Sequence, residues 1–126
     1  MNVPKNLSYT AEHEWLLFTG DASVRIGITD FAQNALGDIV YINLPIVGDV
    51  MSAGASFAEI ESVKAVSEVF CPVSGRISAI NEALLETPEA LNADPYGNWL
   101  VEIEAISEKA PLLDAAAYEA LCEKEA

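Results

Sequence analysis

Two stretches of the chain match each other at fixed offsets. "GDIVYIN", Gly37 to Asn43, lines up with "GRISAIN", Gly75 to Asn81, sharing Gly, Ile, Ile and Asn at the same places. Further on, "FAEIE", Phe57 to Glu61, lines up with "LVEIE", Leu100 to Glu104. Each half therefore reads as a strand, a loop-rich middle and a second strand ending in Ile-Glu. Two similar β units in one small domain predict a mainly β fold, with two antiparallel sheets related by an approximate two-fold axis. A sandwich or flattened barrel satisfies that pattern. At 126 residues the expectation is one domain, 1–126.

The remaining segments add to this frame. "HEWLLFTGDASVRIGI" reads as a hairpin in which Trp15, Leu17, Val24, Ile26 and Ile28 alternate with other residues and Gly20-Asp21 turns. "TDFAQNALG" reads as a short helix capped by Asp30, stopped by Gly37, with Phe31, Ala32, Ala35 and Leu36 on one face. The second middle holds a short helix, with Thr87 capping and Pro88 at its first position, and then the turn "NADPYG". The C-terminal "LLDAAAYEALCEKEA" predicts a docked helix from near Asp114, with Leu113, Ala117, Leu121 and Tyr118 facing the body.

Between the two repeats stands a near-palindrome, "ESVKAVSE", Glu61 to Glu68. Folded between Lys64 and Ala65, it places Val63 opposite Val66, Ser62 opposite Ser67 and Glu61 opposite Glu68. Tight hairpins recruit Asn-Gly or similar pairs because the backbone needs positive φ. Lys-Ala is no such pair, so a type I turn or a slightly longer loop is expected. The chain has four lysines, Lys5, Lys64, Lys109 and Lys124, and Lys64 alone lies far from both ends. A lysine at a hairpin tip is ordinarily a solvated charge. Its isolation and setting point instead to a primary amine displayed for acylation.

Composition excludes several function classes. A net charge of -14 leaves nothing to replace the counterions of a nucleic acid or an anionic membrane, and it favours a soluble monomer. No apolar run approaches the ~20 residues that span a bilayer. "MNVPKNLSYT" has neither a hydrophobic signal core nor a transit composition, so the cytoplasm, here of a bacterium, is the expected compartment. Cys71, Cys122 and the single His13 lack metal-ligand spacing, and the thiols read as buried or idle. With no nucleophile-base signature, the chain reads as something acted upon rather than an enzyme.

The segments "YTAEHEWL", "GITDFAQNALGDIVYINLP", "ESVKAVSEV", "PVSG" and "DPYGNW" run in one order over nearly the whole chain. In them the sequence resembles the lipoyl-carrier fold and, within it, the H-protein family of the glycine cleavage system. Biotin carriers typically flank the lysine with methionines, where Val63 and Ala65 stand here. Lipoyl domains of 2-oxo acid dehydrogenases usually place Asp before it and lack "EHEW" and "GITD".

The resemblance implies a lipoyl/biotinyl-carrier-like sandwich in which the N-terminal hairpin and the C-terminal helix are family additions. It implies lipoic acid in amide linkage on Lys64, with Glu61 and Gly75 recurring around the modified hairpin; Gly75 also reads plainly as a turn residue. The implied role is a non-catalytic shuttle for the aminomethyl group of glycine. Its implied partners are a pyridoxal-phosphate glycine decarboxylase, a tetrahydrofolate aminomethyltransferase, a dihydrolipoamide dehydrogenase and a lipoate-attaching enzyme. Glu14 and Glu68 match acidic positions of a cleft that shelters the loaded arm; the plain alternative is that both are solvated strand carboxylates. A carrier that relays lipoyl groups during lipoate assembly, or an unmodified β-sandwich interaction module, are the other readings. Two departures from the family pattern, the "DPYGNW" loop shortened by one residue and Phe31 in place of His or Tyr, bear on the cleft and on the surroundings of Trp99.

Overall fold

The computed structural model describes residues 1–125. Nine strands and four helices follow in the order β1 (Ser8–Tyr9), β2 (Glu14–Gly20), β3 (Ser23–Ile28), α1 (Asp30–Leu36), β4 (Ile39–Asn43), β5 (Val50–Met51), β6 (Ser56–Ser62), β7 (Val66–Phe70), β8 (Val73–Ile80), α2 (Ala83–Glu86), α3 (Ala90–Ala93), β9 (Val101–Lys109) and α4 (Ala115–Glu125). They form two antiparallel sheets, one of six strands in the order β1-β2-β3-β9-β8-β5 and one of three in the order β4-β6-β7.

The internal repeat maps onto the two sheets. Its first copy supplies the pair β4–β6 of the small sheet and its second the pair β8–β9 of the large one. Both ladders slip at the equivalent place, between Ile39 and Tyr41 in one and between Ile77 and Ala79 in the other. A bulge there bends the strand and strengthens its twist, so the two halves curve alike. The registers differ by two residues: Ile42 pairs with Ile60, whereas the equivalent Ile80 pairs with Val101. An even shift leaves every side chain on its original face. Ile39, Ile42 and Ile60 from one copy and Ile77 and Ile103 from the other meet in the core between the sheets.

The N-terminal hairpin is buried on both faces. Leu16 and Phe18 pair across with Ile26 and Val24 and face the inter-sheet core, while Trp15 and Leu17 point the other way into a second cluster with Tyr9, Tyr118 and Cys122. The inward residues of β2 are thus Leu16 and Phe18, not Trp15 and Leu17; two apolar faces erase the alternation that distinguishes them. Gly20 already pairs with Ser23, which leaves Asp21-Ala22 as the turn.

Three helix expectations are also corrected. Thr29, not Asp30, caps α1, its Oγ1 accepting from the Ala32 N–H at 3.2 Å; Ala35 is exposed on that helix. The second middle folds into two single-turn helices, and Thr87 ends α2 instead of capping α3. On α4 the buried residues are Ala115, Tyr118 and Cys122, with Ala117 exposed, because Asp114 Oδ1 accepts from the Ala117 N–H and sets the helix phase.

Gly75 sits inside β8, not at a turn. Opposite it β9 bulges, with Ala105 at φ 54, and a Cβ on Gly75 would lie 2.6 Å from the Glu104 carbonyl oxygen and from Ile103 Cγ2. The backbone oxygen cannot swing aside as a flexible side chain would. Gly75→Ala is therefore expected to destabilise the protein by about 1–3 kcal/mol, the usual cost of overpacking. Urea denaturation checks this, and an unchanged midpoint would remove the packing account of Gly75.

Candidate functional site

The hairpin between β6 and β7 is tied by one serine. Ser62 is 7% exposed, and its Oγ accepts from the N–H of Lys64 at 3.2 Å and of Ala65 at 3.1 Å. The Ser62 N–H donates to the Ala65 carbonyl at 2.8 Å, and the Val63 N–H donates to the Asp38 carbonyl at 3.0 Å. A serine hydroxyl thus does what an Asn-Gly turn would otherwise do. The loop is three residues, Val63 to Ala65, in keeping with the longer alternative expected for Lys-Ala.

The mirror in the sequence is not the register. Glu61 pairs with Val66, Ile60 with Ser67, and Glu59 with Glu68. The pairing axis falls between Val63 and Lys64, one residue before the centre of the palindrome, because Ser62 closes the loop onto Ala65. Glu59 and Glu68 are consequently like charges directly opposite, an arrangement that disfavours the sheet unless a cation lies near.

Lys64 is exposed, and among the described residues no carboxylate lies within ion-pair distance of it. Its stem lies over Gly37, the residue that ends α1 at φ 77; a Cβ on Gly37 would come within 2.8 Å of Lys64 Cε. The positive φ favours glycine there, and the absence of a side chain leaves room for the lysine stem. From this point α1 runs back along a cleft of about 200 Å³. Ile28, Phe31, Ala32 and Leu36 form one wall, Ile60, Ser67, Glu68 and Val69 the other, and His13 and Glu14 line it as well.

Glu14 opens β2 on the core-facing side, opposite Ile28, and is 3% exposed. Its Oε1 accepts from Thr10 Oγ1 at 2.7 Å, and its Oε2 accepts from the Phe70 N–H at 3.4 Å on the other sheet. Burial is the largest influence on this carboxyl and pushes it up to about 7, against the lowering effect of those hydrogen bonds. Cys71, just beyond, is buried with its thiol also pushed up by burial, and both cysteines are free. A high-pKa, buried thiol is unreactive.

The residues expected to act together are only partly assembled. Glu14 and Glu68 line the same cleft. Glu61 is exposed on the outer face of the small sheet, next to Tyr41 and Val66. Gly75 lies in the large sheet beside Met51, beyond the end of β7 remote from Lys64. The sequence reading did not single out Ser62 as the tie, Glu59 as the partner of Glu68, or Thr10 as the donor to Glu14. A serine two residues before a loop lysine was a legible signal; the other two depend on register and tertiary approach.

The two departures from the family pattern are accommodated. Phe31 stacks on His13 with ring centroids 4.5 Å apart. In the shortened loop the Tyr96 hydroxyl donates to the Asn2 carbonyl at 2.6 Å and accepts from the Asp30 N–H at 3.1 Å, while Trp99 packs beside the Arg25 guanidinium. Among the described residues no helix is long and apolar enough to cross a membrane.

Comparison with known proteins gives one answer. Residues 7–125 match the family model described as glycine cleavage H-protein. The glycine cleavage system H protein of Mycobacterium bovis (strain BCG / Pasteur 1173P2) is 48% identical over 116 residues, covering 91% of this chain and 87% of that one. The protein of the same name from Mycolicibacterium vanbaalenii is 50% identical over 124 residues, covering 94% and 95%. The crystal structure of a glycine cleavage system H protein from Mycobacterium marinum superposes with a TM-score of 0.90 at 41% identity, over 96% of this chain and 99% of that one.

The raised Glu14 carboxyl has a measurable consequence. Between the ordinary value of 4.5 and about 7, the unfolded chain releases this proton while the folded chain keeps it. Stability linked to Glu14 is full below about pH 4.5 and is lost as pH rises through about 7. The difference in unfolding free energy between the protein and its Glu14→Gln variant should therefore shift in the variant's favour across that window and level off above it. A difference independent of pH in urea titrations would contradict this environment for Glu14.

Proposed function

The chain belongs to the glycine cleavage H-protein family, and on that premise we propose that Lys64 carries lipoic acid as an amide and that the protein shuttles the aminomethyl group of glycine. The observation that supports this best is the tip of the β6–β7 hairpin. A lysine with no ion-pair partner among the described residues stands exposed there on a loop tied by Ser62, and its stem lies over Gly37, the neighbour of Leu36 in the cleft wall.

The residues present fit the group. A rigid three-residue loop offers Lys64 Nζ to a lipoate-attaching enzyme by shape, with Glu61 two strand positions before the loop as a further handle. Gly75 fits a packing role better than contact with that enzyme. When attached, lipoate supplies a disulfide that takes up the aminomethyl group after a pyridoxal-phosphate glycine decarboxylase releases carbon dioxide, and whose dithiol is later reoxidised. The chain's own part is to tether, orient and shelter. Apolar walls from α1 and from Ile60 and Val69 offer the arm a surface to which water bonds poorly. Glu14 and Glu68 hold the protonated amine of the loaded arm. An ammonium nearby draws Glu14 to its ionised form, and the pair is stronger there than in water. The same ammonium relieves the repulsion between Glu59 and Glu68.

On this reading residues 1–126 act as one carrier domain without catalysis of its own. It is monomeric and cytoplasmic, its acidity opposing self-association and binding to nucleic acid or anionic membranes. It visits the decarboxylase, a tetrahydrofolate-dependent aminomethyltransferase and a dihydrolipoamide dehydrogenase in turn.

Intact mass after incubation with a lipoate-attaching enzyme, ATP and lipoate should rise by one lipoyl amide in the parent and not in Lys64→Ala. An equal gain in both would rule out Lys64 as the attachment site. With the arm loaded, Glu14→Gln should shorten its lifetime about tenfold, the loss of about 1.4 kcal/mol. Glu68→Gln, on an exposed strand, should shorten it about two- to fivefold. Unchanged lifetimes in both would refute the sheltering role of the cleft.

A further inference from the structure

We propose that His13 is a positioning residue for the arm cleft, holding the Phe31 wall in place and itself held by the C-terminal helix α4. The proposal rests on the cleft being the arm's shelter, and it goes beyond that reading by giving α4 a part in how long the loaded arm is kept.

His13 stands between β1 and β2 with φ 69, in the left-handed region that a non-glycine residue rarely adopts. Such a conformation persists where the surroundings over-determine it. Here the His13 N–H donates to the Thr10 carbonyl and its carbonyl accepts from the Thr29 N–H, which clamps the backbone between the turn after β1 and the cap of α1. The ring lies flat on Phe31, with an interplanar angle of 16°. Both rings line the cleft.

Two groups of α4 grip that ring. Nε2 lies 3.0 Å from Glu125 Oε1 and Nδ1 lies 2.7 Å from the Tyr118 hydroxyl. A carboxylate only accepts, so in the neutral imidazole Nε2 carries the hydrogen and Nδ1 is the acceptor. The Tyr118 hydroxyl must then donate to Nδ1. Its oxygen, 2.6 Å from Thr29 Oγ1, accepts from the Thr29 hydroxyl. Thr29 Oγ1 keeps a lone pair for the Ala32 N–H, the bond that caps α1. The chain of donors therefore runs Thr29 to Tyr118 to His13, with every partner satisfied. Burial raises the Tyr118 hydroxyl well above its ordinary value, which keeps it protonated and able to donate. Tyr118 is fixed in turn by stacking on Tyr9, with centroids 4.5 Å apart at 8°.

One hydroxyl on α4 thus reaches both the residue stacked on Phe31 and the cap of the helix that carries Phe31. Nothing in the inter-sheet core requires this link, since Tyr118 and His13 lie outside it. Its mechanical effect is on the wall of the cleft.

The informative variant is Tyr118→Phe, which retains the ring stacked on Tyr9 and loses the hydroxyl. His13 is the only histidine, so its ring nitrogens give unambiguous NMR signals. In the unmodified protein they should report hydrogen on Nε2 and an accepting Nδ1. In Tyr118→Phe the Nδ1 resonance should move toward that of a free acceptor, and the Phe31 ring protons should lose their stacking shift. An unmoved Nδ1 resonance would overturn the link between α4 and His13, whatever the fate of the arm. On the loaded carrier, Tyr118→Phe and His13→Asn, which tolerates the left-handed backbone, should each shorten the arm's lifetime severalfold at a temperature where both remain folded. The double variant should add little to either. Wild-type lifetimes in these variants, with Glu14→Gln still shortening it, would overturn the positioning role and leave the cleft reading standing. Should Glu14→Gln also have no effect, the cleft reading falls and takes the positioning role with it.

Discussion

A carboxylate taken out of water at the seam between two sheets organises this molecule. Glu14 belongs to the large sheet, faces the inter-sheet core, and accepts a hydrogen bond from the first backbone group beyond the cleft on β7 of the small sheet. Thr10 supplies the other bond from the turn that precedes it. Two hydrogen bonds do not restore the hydration of a carboxylate, and the proton stays on to about pH 7. Filling the position with an apolar side chain would be the simpler way to stabilise a sandwich. Retaining a carboxylate there makes sense where a cation is to enter, because the desolvation that raises its pKa also strengthens its attraction for an ammonium group.

The parts of the fold that were legible in the sequence are those that local pattern controls. The repeat located β4, β6, β8 and β9, and it even carried the equivalent bulges, since a bulge is a property of one strand and its neighbour. Where two apolar faces compete, pattern fails. β2 is apolar on both sides because α4 covers one of them, and alternation cannot say which side is the main core. Around α4 the expected Leu113, Tyr118 and Leu121 do pack on the second cluster, and only Ala117 was misplaced, for a related reason. An alanine-rich helix offers many small residues that fit either face, and Asp114 and the partners of Tyr118 decide between them.

The site shows the same division. Lys64 was visible as an isolated amine in a symmetrical frame, yet the symmetry of the letters was not the symmetry of the hairpin. Ser62 closes the loop onto Ala65 and moves the axis by one residue, so Glu68 faces Glu59 and not Glu61. Glu14 and Glu68 line one cleft, although no spacing argument links residues fifty-four apart in the chain. What brings them together is α1, which crosses from the large sheet to the small one and leaves a gap on its inner side.

That gap is framed on one side by elements that lie outside the internal repeat. The repeat supplies the hairpin that displays Lys64, but it does not close the sandwich by itself: Leu16, Val24, Ile26 and Ile28 of β2 and β3 complete the inter-sheet core. Adding β1 to β3 and α1 along one side makes a wall facing β7. A seven-residue helix with no fully buried side chain is a weak wall on its own. The second cluster gives it support: Tyr9, Trp15 and Tyr118 form an aromatic platform behind it, and the hydroxyl of Tyr118 reaches the threonine that caps it. The N-terminal hairpin and the C-terminal helix thus work as one device. The hairpin supplies the buried acid, and the helix braces the wall that keeps water away from it.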